Sequence, residues 1–272
     1  MTLTVAIGGL GAIGLDLARA LDRGVNGRGV DGLRLVAVSA KDHDKARRNV
    51  AGFRDVPEVV DLQDLARADI VVEAAPAAVF EHIALPAIDA GRIFVPSSVG
   101  QLLPRMHLIA RARASGARII VPTGALLGLD AVRACAEGGV TSVTIETRKP
   151  PNGLVGAPYL IRNNIDVLAI TTPTVIFEGN AFDAAAGFPA NVNVAAALAL
   201  AGIGPERTTV RIWADPTVDR NIHTIKVEAD AARLTMTVEN VPSEANPRTG
   251  KLTPLSVLAC LRGLTATLKV GS

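Results

Sequence analysis

Read from the N-terminus, the chain alternates short apolar runs rich in β-branched residues with longer segments whose apolar positions recur at helical spacing. The apolar runs fall at Leu3–Gly8, Leu33–Ser39, 69–74, 92–96 and 118–121, and the helix-like segments at Ala12–Arg23, 77–90 and 102–114. Strand–helix–strand alternation implies right-handed crossovers and a parallel sheet. Pro86 lies inside the second helical segment, where its missing N–H and its ring predict a kink or a split.

The pattern changes after Gly124. A helix over 127–137 leads to a strand over 140–147, and Lys149-Pro150-Pro151-Asn152-Gly153 reads as loop. An Ala-rich helix is expected over 191–201, then strands at Thr208–Ala214, 223–229 and 234–239 joined by short turns. Val210-Arg211-Ile212-Trp213 and Leu234-Thr235-Met236-Thr237-Val238 alternate apolar with polar residues, the period of an antiparallel sheet with one wet or partner-covered face. Thr253 and Pro254 read as the N-cap and first-turn proline of a last helix running to about Leu264. The expected architecture is α/β. A Rossmann doubly wound parallel sheet covers 1–125, and the C-terminal segment 246–272 packs back on it. A second α/β domain over 126–245, with a mainly antiparallel sheet, carries catalysis and dimerisation. Few helices follow to cover a second face of that sheet, and exposed apolar sheet surface usually marks an interface, so a homodimer through the sheet is expected.

Composition narrows the class. The 272 residues are long enough for two domains, and 49% hydrophobic content with only 3% aromatics calls for cores of Val, Ile, Leu and Ala. With 28 basic and 26 acidic residues spread along the chain, no basic block favours nucleic acid or an anionic membrane. The start, Met1-Thr2-Leu3-Thr4, runs straight into a strand without a signal peptide, and no apolar stretch is long enough to span a bilayer. Cys135 and Cys260 lack metal-ligand spacing and read as free thiols of a reducing cytoplasm; no metal is expected.

Gly9-Leu10-Gly11-Ala12-Ile13-Gly14 is a G-x-G-x-x-G set between an apolar strand and a helix, the context in which it signals a dinucleotide. Gly9 permits the tight turn, Gly11 lets the backbone approach a pyrophosphate, and Gly14 lets helix and strand pack closely. The helix start at Ala12 and Ile13 turns its free N–H groups and dipole toward the phosphates. NAD-specific sites usually end the second strand with an acidic residue that holds the ribose 2′-hydroxyl. Here that strand ends Val38-Ser39-Ala40-Lys41; Asp31 comes too early and Asp42 slightly late. Ser39 and Lys41 favour NADP, alone or alongside NAD. Glu73-Ala74-Ala75-Pro76 and Ser97-Ser98-Val99-Gly100 each follow a strand at the carboxyl edge, which makes Ala75 and Ser98 candidate cofactor contacts.

The sharpest signals lie further on. They are Pro122-Thr123-Gly124-Ala125-Leu126-Leu127-Gly128-Leu129-Asp130, Phe188-Pro189-Ala190-Asn191-Val192-Asn193, and Ala214-Asp215-Pro216-Thr217-Val218-Asp219-Arg220-Asn221-Ile222-His223, followed by Asn240-Val241-Pro242-Ser243-Glu244-Ala245-Asn246-Pro247. Together with the glycine loop, this series resembles the L-aspartate dehydrogenase family over nearly the whole chain. The resemblance implies reversible oxidative deamination of L-aspartate to iminoaspartate, or to oxaloacetate plus ammonia, with NAD or NADP, and a supply of iminoaspartate for NAD biosynthesis. It also implies that His223 is the active-site residue and that Ala125 and Asn193 contact the cofactor. Family members with clear NAD preference carry an acidic residue where Ser39 stands, so the resemblance leaves NAD against NADP open.

The residues fit that chemistry. Hydride leaves Cα of an amino acid only when the amine is neutral, so a base near neutral pH is useful, and histidine suits the task. His43, His82 and His107 lie in polar or surface settings, whereas His223 follows a turn rich in Asp and Asn, where Asp215 or Asp219 could orient its ring. On that basis the pH–rate profile should carry an acidic limb set by His223. Two substrate carboxylates call for cationic partners; Lys149 is the first candidate, Arg148 and Arg220 weaker ones. Two other classes stay open: a related two-domain enzyme of the homoserine dehydrogenase or dihydrodipicolinate reductase kind, and a non-catalytic NAD(P) sensor.

Overall fold

Two sheets organise the chain, seen in a computed structural model that describes residues 2–23, 29–190, 192–243 and 250–271. Strands β1 (Leu3–Gly8), β2 (Leu33–Ser39), β3 (Glu58–Val59), β4 (Ile70–Glu73), β5 (Ile93–Pro96) and β6 (Arg118–Ile119) form one sheet, ordered β3-β2-β1-β4-β5-β6. Every pairing in it is parallel. The order reverses between β1 and β4, the switch point of a doubly wound fold.

Both faces of the central strands are covered, which is why β1, β4 and β5 read as largely apolar runs. On β1, Val5 and Ile7 point to a core that includes Leu17 and Leu21 of helix α1 (Ala12–Arg23) and Val257, Leu258 and Leu261 of the last helix. Gly8 points the other way, against Ile83 and Leu65. Ile83 belongs to α3 (Phe80–Asp89), which packs on α4 (His107–Ser115). A fully buried Leu contributes about 1.5–3 kcal/mol, so the C-terminal helix is a substantial part of this core.

Contact density divides the described chain into Met1–Pro122 with Thr253–Val270, and Thr123–Leu252 with the extreme C-terminus. Within the segment 246–272, residues 246–249 lie outside the described residues, and the helix spans Leu252–Thr265.

Three local readings need correction. The helix α3 continues past Pro86 instead of splitting there. The proline removes the bond to the carbonyl of His82, an exposed residue on the outer side of the helix. A helix absent from the periodicity, α2 (His43–Val50), is so polar that only its cap could have revealed it: the Asp42 carboxylate accepts from Lys45 N at 2.8 Å. The stretch after Lys149 closes into a 3-10 turn over Pro151–Leu154.

The second unit holds α5 (Leu129–Ala136), β7 (Val140–Lys149), α6 (Pro158–Arg162), β8 (Thr174–Asn180), α7 (Ala181–Gly187), α8 (Asn193–Ala201), β9 (Thr208–Ala214), β10 (Ile222–Ala229) and β11 (Arg233–Glu239). Its sheet runs β11-β10-β7-β9-β8; β7 and β9 are parallel and the other pairs antiparallel. Val143, Ile145, Thr147 and Lys149 of β7 are buried in alternation, as are Thr208, Val210, Ile212 and Ala214 of β9. Helices α7 and α8 lie against the sheet, and α5 stacks on α8. Val194 to Ala199 are buried on all sides, so α8 needs no polar face.

The residues that alternate with this buried set are not the apolar surface expected from the sequence. They carry Lys226–Glu146 and bidentate Arg211–Glu178 ion pairs and a Thr224–Thr237 hydroxyl contact. The alternation called for one dry face only, and the other is charged.

Candidate active site

The first unit supplies a phosphate-binding turn. Gly9 has φ +101°, a left-handed value that favours glycine, and its N–H donates to the Ser39 carbonyl at 2.8 Å. A Cβ on Gly9 would strike the Ala74 backbone, and one on Gly14 would strike the Gly9 carbonyl oxygen. A Cβ on Gly11 would meet nothing within 4 Å. Gly9 and Gly14 are therefore demanded by the protein's own packing, whereas Gly11 is demanded only by a group that approaches from outside. That combination fits a pyrophosphate at the start of α1, beside Ala12 and Ile13, where Leu15 N begins the helical ladder on the Gly11 carbonyl at 2.9 Å.

Around this turn the expected contacts look different in detail. Ser39 closes β2 and is only 2% exposed, while Lys41 is exposed. Asp42, the nearest acidic residue, is committed to capping α2. Ala75 and Ser98 flank the carboxyl edge, but their polar groups serve Glu73. Its Oε1 accepts from Ala75 N at 2.9 Å and Ser98 Oγ at 3.0 Å, and its Oε2 accepts from Ser98 N at 2.9 Å. Ala75 N and the Ser98 amide and hydroxyl are thus tied to Glu73, which fixes both loops at the carboxyl edge. The sequence pattern singles out no role for Glu73; an acidic residue closing the run Ile70-Val71-Val72 is the signal for a buried carboxylate.

The second unit holds the candidate catalytic cluster. The registers of β7 and β10 place His223 opposite Thr147, and Thr147 Oγ1 lies 3.0 Å from His223 Nδ1. Lys149, two residues on along β7, shares the buried face with Thr147. His223 is 3% exposed and Lys149 5%. Burial, and then the charge of Lys149, push the His223 pKa down to about 3; burial pushes Lys149 down to about 8. Burial thus favours a neutral imidazole around neutral pH, beside an amine whose pKa lies closer to neutrality than that of a free lysine. An acidic limb set by this histidine moves below neutrality with it.

The orienting group is also different from the one anticipated. Asp215 accepts from Arg148 Nη1 at 2.9 Å, Thr217 N at 2.9 Å and Thr217 Oγ1 at 2.6 Å. Burial opposes its ionisation, but Thr217 and Arg148 win and hold its pKa below the usual range. Asp219 pairs with Arg220. Neither carboxylate serves His223; Thr147 does, and only the strand register could reveal it. Arg148 also stacks on Trp213, with 4.1 Å from guanidinium carbon to ring centroid. Arg148 and Arg220 are thus both engaged in ion pairs. Ala125 is fixed through its carbonyl, which accepts from Asn240 Nδ2 at 3.1 Å, and Asn193 begins α8 with its residue exposed. Among the described residues, no group of three or more His, Cys, Asp or Glu is placed to hold a metal, and both cysteines are free.

A doubly wound sheet with a dinucleotide turn, joined to a mixed-sheet unit that buries a Thr–His–Lys cluster, defines a two-domain NAD(P)-linked oxidoreductase. Comparison with known proteins narrows this. Residues 9–122 match the model described as "Homoserine dehydrogenase, NAD binding domain", and residues 130–264 match "Aspartate dehydrogenase, C-terminal". An L-aspartate dehydrogenase of Bradyrhizobium diazoefficiens is 53% identical over 99% of this chain and 94% of its own. L-aspartate dehydrogenase 3 of Bordetella bronchiseptica is 52% identical over 99% of this chain and 98% of its own. The crystal structure of aspartate dehydrogenase from Thermotoga maritima superposes with a TM-score of 0.75 at 27% identity, with both chains covered in full. The chain belongs to the L-aspartate dehydrogenase family.

Proposed function

We propose that this protein catalyses the reversible oxidative deamination of L-aspartate to iminoaspartate, and on to oxaloacetate plus ammonia, with NAD or NADP. The observation that carries the reading is 53% identity to an L-aspartate dehydrogenase across essentially the whole chain, and the buried Thr147–His223–Lys149 cluster supports it chemically. Bound NAD(P) supplies the hydride acceptor. The protein's share is to hold the substrate, manage one proton and admit one water. With Nδ1 protonated and donating to Thr147 Oγ1, His223 presents the Nε2 lone pair, which takes a proton from the substrate amine or from the water that attacks the imine carbon. Lys149, as an ammonium, pairs with a substrate carboxylate.

These roles reinforce one another. A pKa of about 3 makes His223 on its own a weak base. The two substrate carboxylates offset the Lys149 charge and add negative charge beside the ring, and both effects raise the proton affinity of His223. The base is thereby strengthened when substrate is present. Asn193 and Ala125 are assigned to the cofactor by family resemblance.

Location in the cytoplasm and assembly as a homodimer belong to the same reading. No helix among the described residues is long and apolar enough to cross a membrane. The charged face of the second sheet carries both signs in alternation, which suits an isologous contact of that face with itself. The test is an absorbance assay with L-aspartate, and in reverse with oxaloacetate plus ammonia, using both cofactors. Turnover of homoserine but not L-aspartate would transfer the chain to the homoserine dehydrogenase reading, and turnover of no substrate would favour the sensor.

A further inference from the structure

Glu73 lies at 0% exposure at the carboxyl end of β4, one strand past the switch point. Among the described residues no lysine or arginine forms an ion pair with it. Its carboxylate accepts three hydrogen bonds, and they come from two different loops: Ala75 N from the loop after β4, and Ser98 N and Oγ from the loop after β5. Burial pushes its pKa up, against the pull of the Ser98 and Ala75 amides. Three hydrogen bonds hold the carboxylate, but no opposite charge offsets its burial. An acceptor at both oxygens is what those three donors require.

What the arrangement serves follows from where those two loops stand. In this sheet order the ribose contact that follows β2 belongs to the adenosine half of a dinucleotide, and the pyrophosphate crosses the turn after β1. The remaining half, ribose and nicotinamide, then falls over the ends of β4 and β5. Glu73 joins the loops that leave those two ends. The phosphate turn is held separately: Gly9 N donates to Ser39 O, and Ala74 N to Gly8 O, each at 2.8 Å. Neither bond involves the Glu73 side chain.

We propose that Glu73 is a positioning residue for the nicotinamide half of the dinucleotide, acting as a carboxylate clamp that fixes the Ala75 and Ser98 loops in a single arrangement. The three donors require acceptors at both carboxylate oxygens. A glutamine offers one acceptor and one NH2, so whichever way its amide is turned, an N–H faces an N–H. The Ala75 and Ser98 loops then lose their common anchor, while the phosphate turn keeps its own bonds. Affinity for a whole dinucleotide should fall, and affinity for its adenosine diphosphate portion should not.

The experiment compares NADH and ADP binding to the full-length wild type, Glu73→Gln, Glu73→Ala and Ser98→Ala, by NADH fluorescence and by calorimetry for ADP. The expected NADH Kd rises about tenfold in Glu73→Gln, more in Glu73→Ala and about threefold in Ser98→Ala, the scale of one to two lost charge-assisted bonds. The ADP Kd should stay within about twofold of wild type. If Glu73→Ala does not fold, Glu73→Gln and Ser98→Ala carry the comparison, with melting curves on the same samples. A parallel loss of both ligands would reduce Glu73 to a structural residue, and unchanged NADH binding in Glu73→Gln and Ser98→Ala would overturn the clamp; so would an unchanged NADH-to-ADP ratio with only a lower Tm. The readout needs the dinucleotide domain but not aspartate turnover, so an enzyme that proved inactive on L-aspartate would leave it intact.

Discussion

The Thr147 hydroxyl meets the His223 ring across the β7–β10 pair, with Oγ1 3.0 Å from Nδ1. A hydroxyl holds an imidazole differently from a carboxylate. It fixes the ring plane and can accept from Nδ1–H, but it adds no full negative charge to stabilise an imidazolium. Thr147→Val keeps the shape and β-branching of the side chain while removing the partner. We expect kcat to fall about 10–100-fold and stability by about 1–3 kcal/mol, the cost of an unsatisfied buried ring nitrogen. Thr147→Ser should restore most of both. Steady-state kinetics and thermal melts on the same preparations check this, and a Val variant with wild-type kcat would remove Thr147 from the machinery.

His223 itself should show two separable effects. His223→Ala or His223→Asn should lower kcat by about 10²–10⁴, the usual worth of a general base. Dinucleotide affinity should change little, because the phosphate turn is built by Gly9 and Gly14 in the other unit. The second effect is on stability. The pKa of His223 drops from its ordinary 6.5 to about 3 on folding. Between those values the unfolded chain binds the proton and the folded chain does not, so stability is lost as pH falls through that window. The loss should be on the order of 4–5 kcal/mol for wild type by the bottom of the window, and the Asn variant should lack this component. Denaturant melts at stepped pH measure it. Equal pH dependence in both proteins would mean that the ring is not buried neutral.

Much of this fold was legible because its period was strong. The strands Leu3–Gly8 and Leu33–Ser39 and the helix Ala12–Arg23 carry clear apolar periods, and their limits coincide with the expected ones. Helix α2 (His43–Val50) was not legible, because only Ala46 and Val50 are buried and the pattern had no stripe to show. The site divides the same way. Gly9, Gly11 and Gly14 are contiguous, so their geometry could be argued from spacing. Thr147 and His223 are 76 positions apart and meet only through strand register, which periodicity does not encode. Asp215 was the near neighbour in sequence and so the natural guess for an orienter, yet Arg148 and Thr217 hold it.

Lys149 should govern the alkaline side of the pH profile. Its pKa in the free enzyme is about 8. If the ammonium binds a substrate carboxylate, kcat/KM for L-aspartate should fall above pH 8 as Lys149 loses its proton. Lys149→Met should abolish that limb and raise KM for L-aspartate about 10–100-fold, the worth of a charge-assisted contact. Stability should move the opposite way. Between pH 8 and 10.5 the unfolded lysine is protonated and the folded one is not, so wild-type stability rises with pH across that window. Lys149→Met should be the more stable protein at pH 7. A Met variant with wild-type KM would exclude the carboxylate contact.

Gly11 and Gly14 offer a contrast within one loop. A Cβ on Gly14 would run into the Gly9 carbonyl oxygen, whereas a Cβ on Gly11 would meet nothing within 4 Å. Gly14→Ala should therefore destabilise the apo protein and weaken dinucleotide binding together. Gly11→Ala should leave the apo Tm within about 1 °C, since surface changes seldom exceed ±0.5 kcal/mol, yet raise the Kd of both NADH and ADP at least about tenfold by filling the space the pyrophosphate needs. Calorimetry and melts on the two variants distinguish them. Tight ADP binding by Gly11→Ala would place the phosphates elsewhere.

Cofactor preference turns on the end of β2. Asp42 caps α2 by accepting from Lys45 N at Oδ1, which turns its carboxylate toward the start of that helix. On the proposed reading of the β2 end, an acidic side chain in place of Ser39 would repel a 2′-phosphate, and exposed Lys41 would offset the charge of one. NADP should accordingly be accepted. Lys41→Ala should lower kcat/KM for NADP more than for NAD, by about 3–10-fold, since one exposed contact to a phosphate is worth about 1 kcal/mol. Ser39→Asp should act more strongly, shifting the NADP-to-NAD ratio of kcat/KM toward NAD by more than about tenfold. Ser39 is only 2% exposed, so the Asp variant should also lose stability, by about 1–3 kcal/mol, from a carboxyl that is poorly solvated. That loss is common to both cofactors and cancels in the ratio. Initial rates with each dinucleotide at saturating L-aspartate give the ratio directly. Wild-type turnover confined to NAD, with the ratio unmoved by either substitution, would mean that the 2′-position is read by residues other than Ser39 and Lys41.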